Sequence, residues 1–440
     1  MNMNALHALA AAFASAQPEL GLLRVGGAVA EATPTVLRVA GLSRYLKLGQ
    51  CVEFGDHGEL GEVIRIDERG ATVKPFTETQ KVGLGTRVWA RGPITLNPDT
   101  SWRGRILDAF GAPIDGLGDL LQGIETMPLD RAPPPPMQRQ RLQKPVRTGI
   151  RVIDLFTPLC AGQRIGIFAG SGLGKSTLLA MLAKAEGFDT VVIALVGERG
   201  REVREFIEDT IGASRDRMVA IVATADESAM RRRLAPRTAM SIAEYFREQG
   251  RSVLLIIDSI TRFAHAVREV ELAAGEPPVA RGYTPGVFSE LPKLLERAGP
   301  GREGAGSITG IFSVLVDGDD HNDPIADSIR GTLDGHVVLD RAIADHGRYP
   351  AVDLLRSISR VAHLLWTTEQ QRLILRLRGM IARFDETRDL RVMGGYKAGE
   401  DPELDRAVEL VPKLYNALQQ TPRDPASTDA FQELARHLSS

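Results

Sequence analysis

The chain has 440 residues, 25% of them charged and 43% hydrophobic, with a formal net charge of −2. That length exceeds one compact domain, and the balanced charge excludes a global pull toward nucleic acid or anionic membrane. The two cysteines, Cys51 and Cys160, have no metal-binding spacing and fit a reducing cytoplasm, and no apolar run reaches the ~18–20 residues needed to cross a bilayer.

Residues 1–17 are alanine-rich but lack the basic leading segment of a signal peptide. Leu6, Leu9, Ala10 and Phe13 share one helical face, so residues 1–21 read as an amphipathic helix suited to docking on a partner or a membrane surface. A frayed tail is the alternative. Residues 22–93 read as all-β: short β-rich runs at 35–39, 51–54, 62–66, 71–75 and 87–90 are separated by Gly, Asp and polar turns. Strands at that spacing predict a small barrel. A connecting region ends in the run Pro133 to Pro136, which must be extended and stiff.

From about 148 to 345 apolar strands at 165–169, 190–196, 218–223, 253–257, 308–316 and 336–339 alternate with helices. In one helix, Val203, Phe206, Ile207 and Ile211 have helical spacing. The fold class is therefore α/β with a mostly parallel central sheet. Residues 94–365 form this nucleotide-binding domain, and the Leu-, Arg- and Glu-rich tail 366–440 forms a helical domain, with helices at 370–384 and 405–418.

Residues 169–177 read Ala-Gly-Ser-Gly-Leu-Gly-Lys-Ser-Thr between a strand and a helix, which is the context of a phosphate-binding loop. Gly170, Gly172 and Gly174 let the backbone approach a phosphate, with the N–H groups of the loop, Ser171 and Leu173 included, pointing inward. The helix N-terminus beginning near Lys175 adds its dipole and free amides. Lys175 would reach the β- and γ-phosphates, the Ser176 hydroxyl would ligate Mg²⁺, and Thr177 completes the loop. The strict pattern opens with Gly where this chain has Ala169, a difference of one methyl group. An ordinary glycine turn would not need the Gly-Lys-Ser-Thr ending, so the chain is expected to bind a nucleoside triphosphate with Mg²⁺.

The strand 254–257 ends in Asp258, an acid placed beside such a loop to orient Mg²⁺; capping the following helix is the alternative. The strand 191–196 runs into Gly197-Glu198-Arg199-Gly200-Arg201-Glu202. A glutamate there can polarise an attacking water, but four adjacent charges also suit a solvated turn, and the residues alone leave Glu198 undecided.

Several stretches together resemble the type III export ATPases, cousins of the rotary ATP synthase catalytic subunit. They are the loop 169–176, Val-Gly-Glu-Arg-Gly-Arg-Glu-Val at 196–203, Leu-Ile-Ile-Asp-Ser-Ile-Thr-Arg at 255–262, Arg-Gly-Tyr-Thr-Pro at 281–285, and Asp-Asp-His-Asn-Asp-Pro-Ile-Ala-Asp at 319–327. Leu-Asp-Gly-His at 333–336 and Tyr-Pro-Ala-Val-Asp at 349–353 also match. The likeness runs from about 22 to 410. It implies Glu198 as general base, Asp258 as the metal-side acid, and Arg360 as an arginine finger reaching the neighbouring subunit's γ-phosphate, an effect of ~10³–10⁵ in rate. It implies that Tyr349 stacks on adenine and that Tyr396 closes the other face. The barrel 22–93 becomes an oligomerisation domain.

One chain carrying both base and finger permits a homohexamer with head-to-tail interfaces. The implied partners are a stator-like regulator at the N-terminal helix, a coiled-coil stalk, export-gate membrane proteins, and export substrates with their chaperones. The implied place is the cytoplasm, peripheral to the inner membrane, and the stretch 340–349 resembles flagellar more than virulence-injectisome members. A non-catalytic synthase subunit lacks the acid matched by Glu198, whereas a catalytic one remains an alternative. An RNA-translocating hexamer would carry stacking aromatics on its barrel; here Tyr45, Phe54, Phe76 and Trp89 stand without clustered basic residues, so no nucleic-acid partner is expected. The basic run Arg231 to Arg233 reads as a helix face beside Glu227. Intact Lys175, Glu198, Asp258 and Arg360 argue against ATP as a purely structural switch.

Overall fold

The computed structural model describes residues 24–77, 82–211, 215–316 and 323–439. The expected N-terminal helix and most of the Asp-Asp-His-Asn-Asp-Pro run lie outside them. The chain forms two compact units, one made of residues up to Ile94 with Ser228–Met230 and Val267–Pro278, the other of the remainder.

In the first unit six antiparallel strands close into a barrel: β1 (Gly26–Ala32), β2 (Leu37–Ala40), β3 (Cys51–Phe54), β4 (Glu59–Asp67), β5 (Gly70–Pro75) and β6 (Arg87–Ala90), in the order β1-β2-β5-β4-β3-β6 with β6 returning to β1. Leu37, Val39, Val52, Phe54, Val63, Val73 and Val88 point inward and fill it, as the alternation of small barrels requires. Phe76 is buried as well. The strand β1 is absent from the sequence reading because it opens Gly26-Gly27-Ala28, with low β propensity. Its glycines answer packing: a Cβ on Gly26 would stand 2.5 Å from the Trp89 ring.

The second unit is built on a nine-stranded sheet: β7 (Ile106–Leu107), β8 (Arg164–Ala169), β9 (Thr190–Val196), β10 (Met218–Ala223), β11 (Ser252–Asp258), β12 (Gly299–Pro300), β13 (Ser307–Leu315), β14 (Gly335–Val338) and β15 (Ile358–Ser359). The order is β15-β14-β8-β13-β11-β9-β10-β7, with β12 on β13. All pairs are parallel except those of β12 and β15. Every residue of β9 is buried, as expected of a strand covered on both faces. The helices are α1 (Lys175–Ala183), α2 (Gly200–Ile211), α3 (Ala229–Glu248), α4 (Ile260–Ala274), α5 (Pro285–Leu295), α6 (Pro324–Thr332), α7 (Thr368–Glu386), α8 (Pro402–Leu418) and α9 (Ala430–Ser439), besides shorter ones.

A capping box starts α7: Thr367 Oγ1 accepts from Gln370 N at 3.2 Å, and Thr367 N donates to Gln370 Oε1 at 2.9 Å. Asp401 caps α8 ahead of Pro402 at the first helical position. Ile374, Leu377 and Ile381, spaced along one face of α7, join Val411 and Leu414 of α8 in the same core as Ile165 and Ile167 of β8. Just past α8, buried Gln420 donates its N–H to Tyr349 O at 3.0 Å and its Nε2 to Gly149 O at 2.8 Å, while its Oε1 accepts from Arg151 N at 3.0 Å.

The basic run lies on α3. Arg231 pairs with Glu227 at 3.1 Å, while Arg233 and Arg237 both reach Glu290 of α5 at 2.7 Å. Both cysteines are buried free thiols, and burial pushes Cys51 up to about 12. Neither can serve as a nucleophile at neutral pH.

Candidate active site

Parallel strands deliver their C-terminal ends to one edge, and there Lys175, Glu198 and Asp258 meet. From β8 the chain enters the loop 170–174, in which Gly172 and Gly174 hold φ of 79° and 83°. A side chain is strained in that region. Leu173 is buried and anchors the loop in the core, whereas Ser171 and Gly172 at its tip and Ser176 and Thr177 on α1 are exposed. Lys175 is the first residue of α1, so its side chain starts where the helix amides are unsatisfied.

Lys175 Nζ bonds Asp258 Oδ1, lies 3.7 Å from Glu198 Oε1 and 3.4 Å from Ser313 Oγ. The side chains of Lys175, Glu198 and Asp258 keep only 11%, 14% and 3% of their exposure. The register explains the convergence: Asp258 ends β11 opposite Leu195 of β9, and Glu198 follows two residues after β9. Ser313 comes from β13, the strand between β8 and β11, and donates to Asp258 Oδ1 at 2.6 Å. The capping bond after β11 is made by Ser259, whose Oγ accepts from Arg262 N at 3.3 Å. Arg262 in turn donates to Gly197 O at 2.6 Å and supports the turn carrying Glu198.

Burial raises the Glu198 carboxyl above its usual range, and Asp258 adds to the rise, while Lys175 and Arg262 oppose it. A carboxylate raised in this way is a better proton acceptor. Ser176 and Asp258 supply hard oxygen donors. Among the described residues no group of three His, Cys, Asp or Glu side chains forms a metal cage. That donor set fits Mg²⁺, which keeps water and phosphate as most of its ligands.

Tyr349, Arg360 and Tyr396 make none of these contacts. Tyr349 is 43% exposed, and its ring is 3.5 Å from the place a Cβ on Gly174 would take, so it flanks the loop. Arg360 is exposed after β15, with Nη2 3.4 Å from Arg330 O and no bond to Lys175, Glu198 or Asp258. Tyr396 donates its hydroxyl to Asp405 of α8 at 2.7 Å. Two site neighbours escaped the sequence reading: Ser313, and Arg341, whose Nη2 donates to Ser171 O at 3.3 Å. The available signal for Ser313 is a hydroxyl within the apolar run 308–316, which Thr309 shares.

The ATP synthase alpha/beta family, nucleotide-binding domain, matches residues 149–359, and the T3SS EscN ATPase C-terminal domain matches residues 366–436. A flagellum-specific ATP synthase of Agrobacterium fabrum is 56% identical over 96% of this chain and 90% of that protein. A type 3 secretion system ATPase of Xanthomonas euvesicatoria is 42% identical over 93% of both. Among solved structures, the assembled ATPase EscN in complex with its central stalk EscO, from enteropathogenic E. coli, aligns with a TM-score of 0.86 at 38% identity, over 94% of this chain and 100% of that one. With barrel, loop-bearing sheet and C-terminal helices all accounted for, the chain belongs to the type III export ATPases, a branch of the ATP synthase alpha/beta family.

Proposed function

We propose that this ATPase energises a flagellar export apparatus as a homohexameric ring, hydrolysing Mg²⁺-ATP at its subunit interfaces. The observation that carries the chemistry is the meeting of Lys175, Glu198 and Asp258 at one sheet edge. The flagellar choice is supported by 56% identity to the Agrobacterium protein against 42% to the Xanthomonas secretion ATPase. EscN is described as assembled and bound to a central stalk, which supports a ring and a coiled-coil stalk partner here.

In this reading the loop amides 170–177 cradle the phosphates and Lys175 turns from Asp258 to the β- and γ-oxygens. Glu198 orients the attacking water and accepts its proton. Ser176, with Asp258, would hold Mg²⁺, which would supply neutralisation of phosphate charge. Tyr349 stacks on the adenine, with Tyr396 assigned to its other face. Arg360 enters the neighbouring subunit's site, where a guanidinium stabilises charge spread over the transferred phosphoryl group. Turnover releases export substrates from chaperones and delivers them to the export gate. The N-terminal segment binds a stator-like regulator that holds the ring at the cytoplasmic face of the inner membrane.

The test is ATPase activity per subunit as the purified protein is diluted, paired with flagellation of a strain lacking the chain. A steep fall on dilution and loss of filaments support the reading. Flat activity in a species shown to be monomeric refutes interface catalysis. Intact filaments with a lost injectisome refute the flagellar assignment.

A further inference from the structure

Arg360 is exposed, yet the backbone leading to it is held from within. Ser357 and Ser359, the alternate residues before it, are both buried. Ser357 Oγ accepts from Val338 N at 3.0 Å, and its carbonyl accepts from Arg378 of α7 at 3.0 Å. Ser359 Oγ donates to Pro158 O at 2.9 Å and accepts from Gln163 Nε2 at 2.9 Å. Gln163 has no exposed surface. Its Oε1 accepts from Cys160 N at 2.9 Å, and its Nε2 makes a longer 3.5 Å contact with Asp334 O. That carbonyl accepts the Arg360 N–H at 2.9 Å. Arg164, the next residue after Gln163, fixes Asp334 further through N and Nε at 3.0 and 3.1 Å.

We infer that Gln163 is a positioning residue for Arg360: its buried amide fixes Ser359 and, through Asp334, the backbone from which the guanidinium projects. The inference rests on the proposed reading of Arg360 as the finger. Gln163 stands immediately before β8, whose far end opens into the chain's own phosphate loop. The finger is thereby referenced to the strand that holds this chain's nucleotide, although it serves the neighbour's. A long arginine reaches a defined point only if its backbone is fixed, and a displacement of about 1 Å at a reacting centre can cost on the order of 100-fold in rate.

The test uses full-length protein. Gln163→Leu removes the amide. Ser359→Ala removes the same link from the other side while keeping the Cys160–Gln163 bond. Each is expected to lower kcat at least about tenfold with KM for ATP unchanged, since the binding residues of the same chain are untouched. Each is then co-expressed at equal level with Lys175→Ala, whose own site is dead but whose finger is intact. In randomly mixed rings about one quarter of sites pair a working loop with an intact finger, and turnover at those sites should return to the wild-type rate. Arg360→Ala with Lys175→Ala is the control. If the control shows no rescue, the finger reading fails and the inference with it. Rescue of the control alone overturns the inference, as does wild-type kcat in the two variants. Failure of both to assemble would make Gln163 a structural residue only and overturns it too.

Discussion

Replacing Glu290 by Gln removes the carboxylate shared by Arg233 and Arg237, and its cost can be worked from the structure. Both guanidiniums lie 2.7 Å from the Glu290 oxygens, and the carboxylate keeps 21% of its exposure. Burial alone would raise the carboxyl, but the two arginines outweigh it and bring its pKa from 4.5 to about 2. At about 1.4 kcal/mol per unit, that shift corresponds to ~3 kcal/mol of folding stability at neutral pH. The folded value is below the unfolded one, so the contribution is complete above about pH 5 and is lost as pH falls from 4.5 toward 2. Glu290→Gln should therefore unfold at lower urea by ~3 kcal/mol at pH 7, with the gap to wild type narrowing below about pH 4.5. The assay is urea unfolding followed by tryptophan fluorescence at several pH values. A difference under about 1 kcal/mol at pH 7, or one that persists unchanged at pH 3.5, refutes the argument.

Glu198→Gln should reduce ATP turnover by ~10²–10⁴ while a fluorescent ATP analogue still binds; near-normal turnover would remove Glu198 from the role of base. Because burial and Asp258 raise the Glu198 carboxyl, the acidic limb of kcat/KM should lie above the 4.5 of an ordinary glutamate, and a limb at or below that value contradicts the assignment. Gly174→Ala forces a side chain into φ of 83°, a strain of ~1–2 kcal/mol in the loop, so nucleotide affinity measured by calorimetry should fall about tenfold. Unchanged affinity would mean the loop can adopt a second backbone path.

The phosphate loop was legible because its chemistry demands particular residues in a particular order. The strands β9 and β10 were legible because full burial makes them continuous apolar runs. Three kinds of feature were not. The first barrel strand is glycine-rich for packing reasons, which propensity reads as a break. Two-residue strands such as β7 and β15 carry no periodicity at all. Roles set by neighbours across the sheet, as with Ser313 beside Asp258, depend on strand order that local sequence does not contain. Glu198 lies between these cases: its position after a strand was visible, but selecting it from its charged neighbours took family likeness, and its nearness to Lys175 took the fold.

Gln420 has a consequence for how the molecule is made. Its amide joins Gly149 and Arg151, 271 and 269 positions earlier, and its N–H satisfies the carbonyl of Tyr349. During synthesis the loop and every long strand of the sheet exist before residue 420 leaves the ribosome. At about 5–20 residues per second, the 71 positions from Tyr349 to Gln420 take ~4–14 s to add. Over that interval the flank of the loop that bears Tyr349 lacks its last hydrogen bond, and contacts of such sequence separation close late on topological grounds as well. A nascent chain therefore acquires the hydrogen bonds that Gln420 makes with Gly149, Arg151 and Tyr349 only after α8 has been translated.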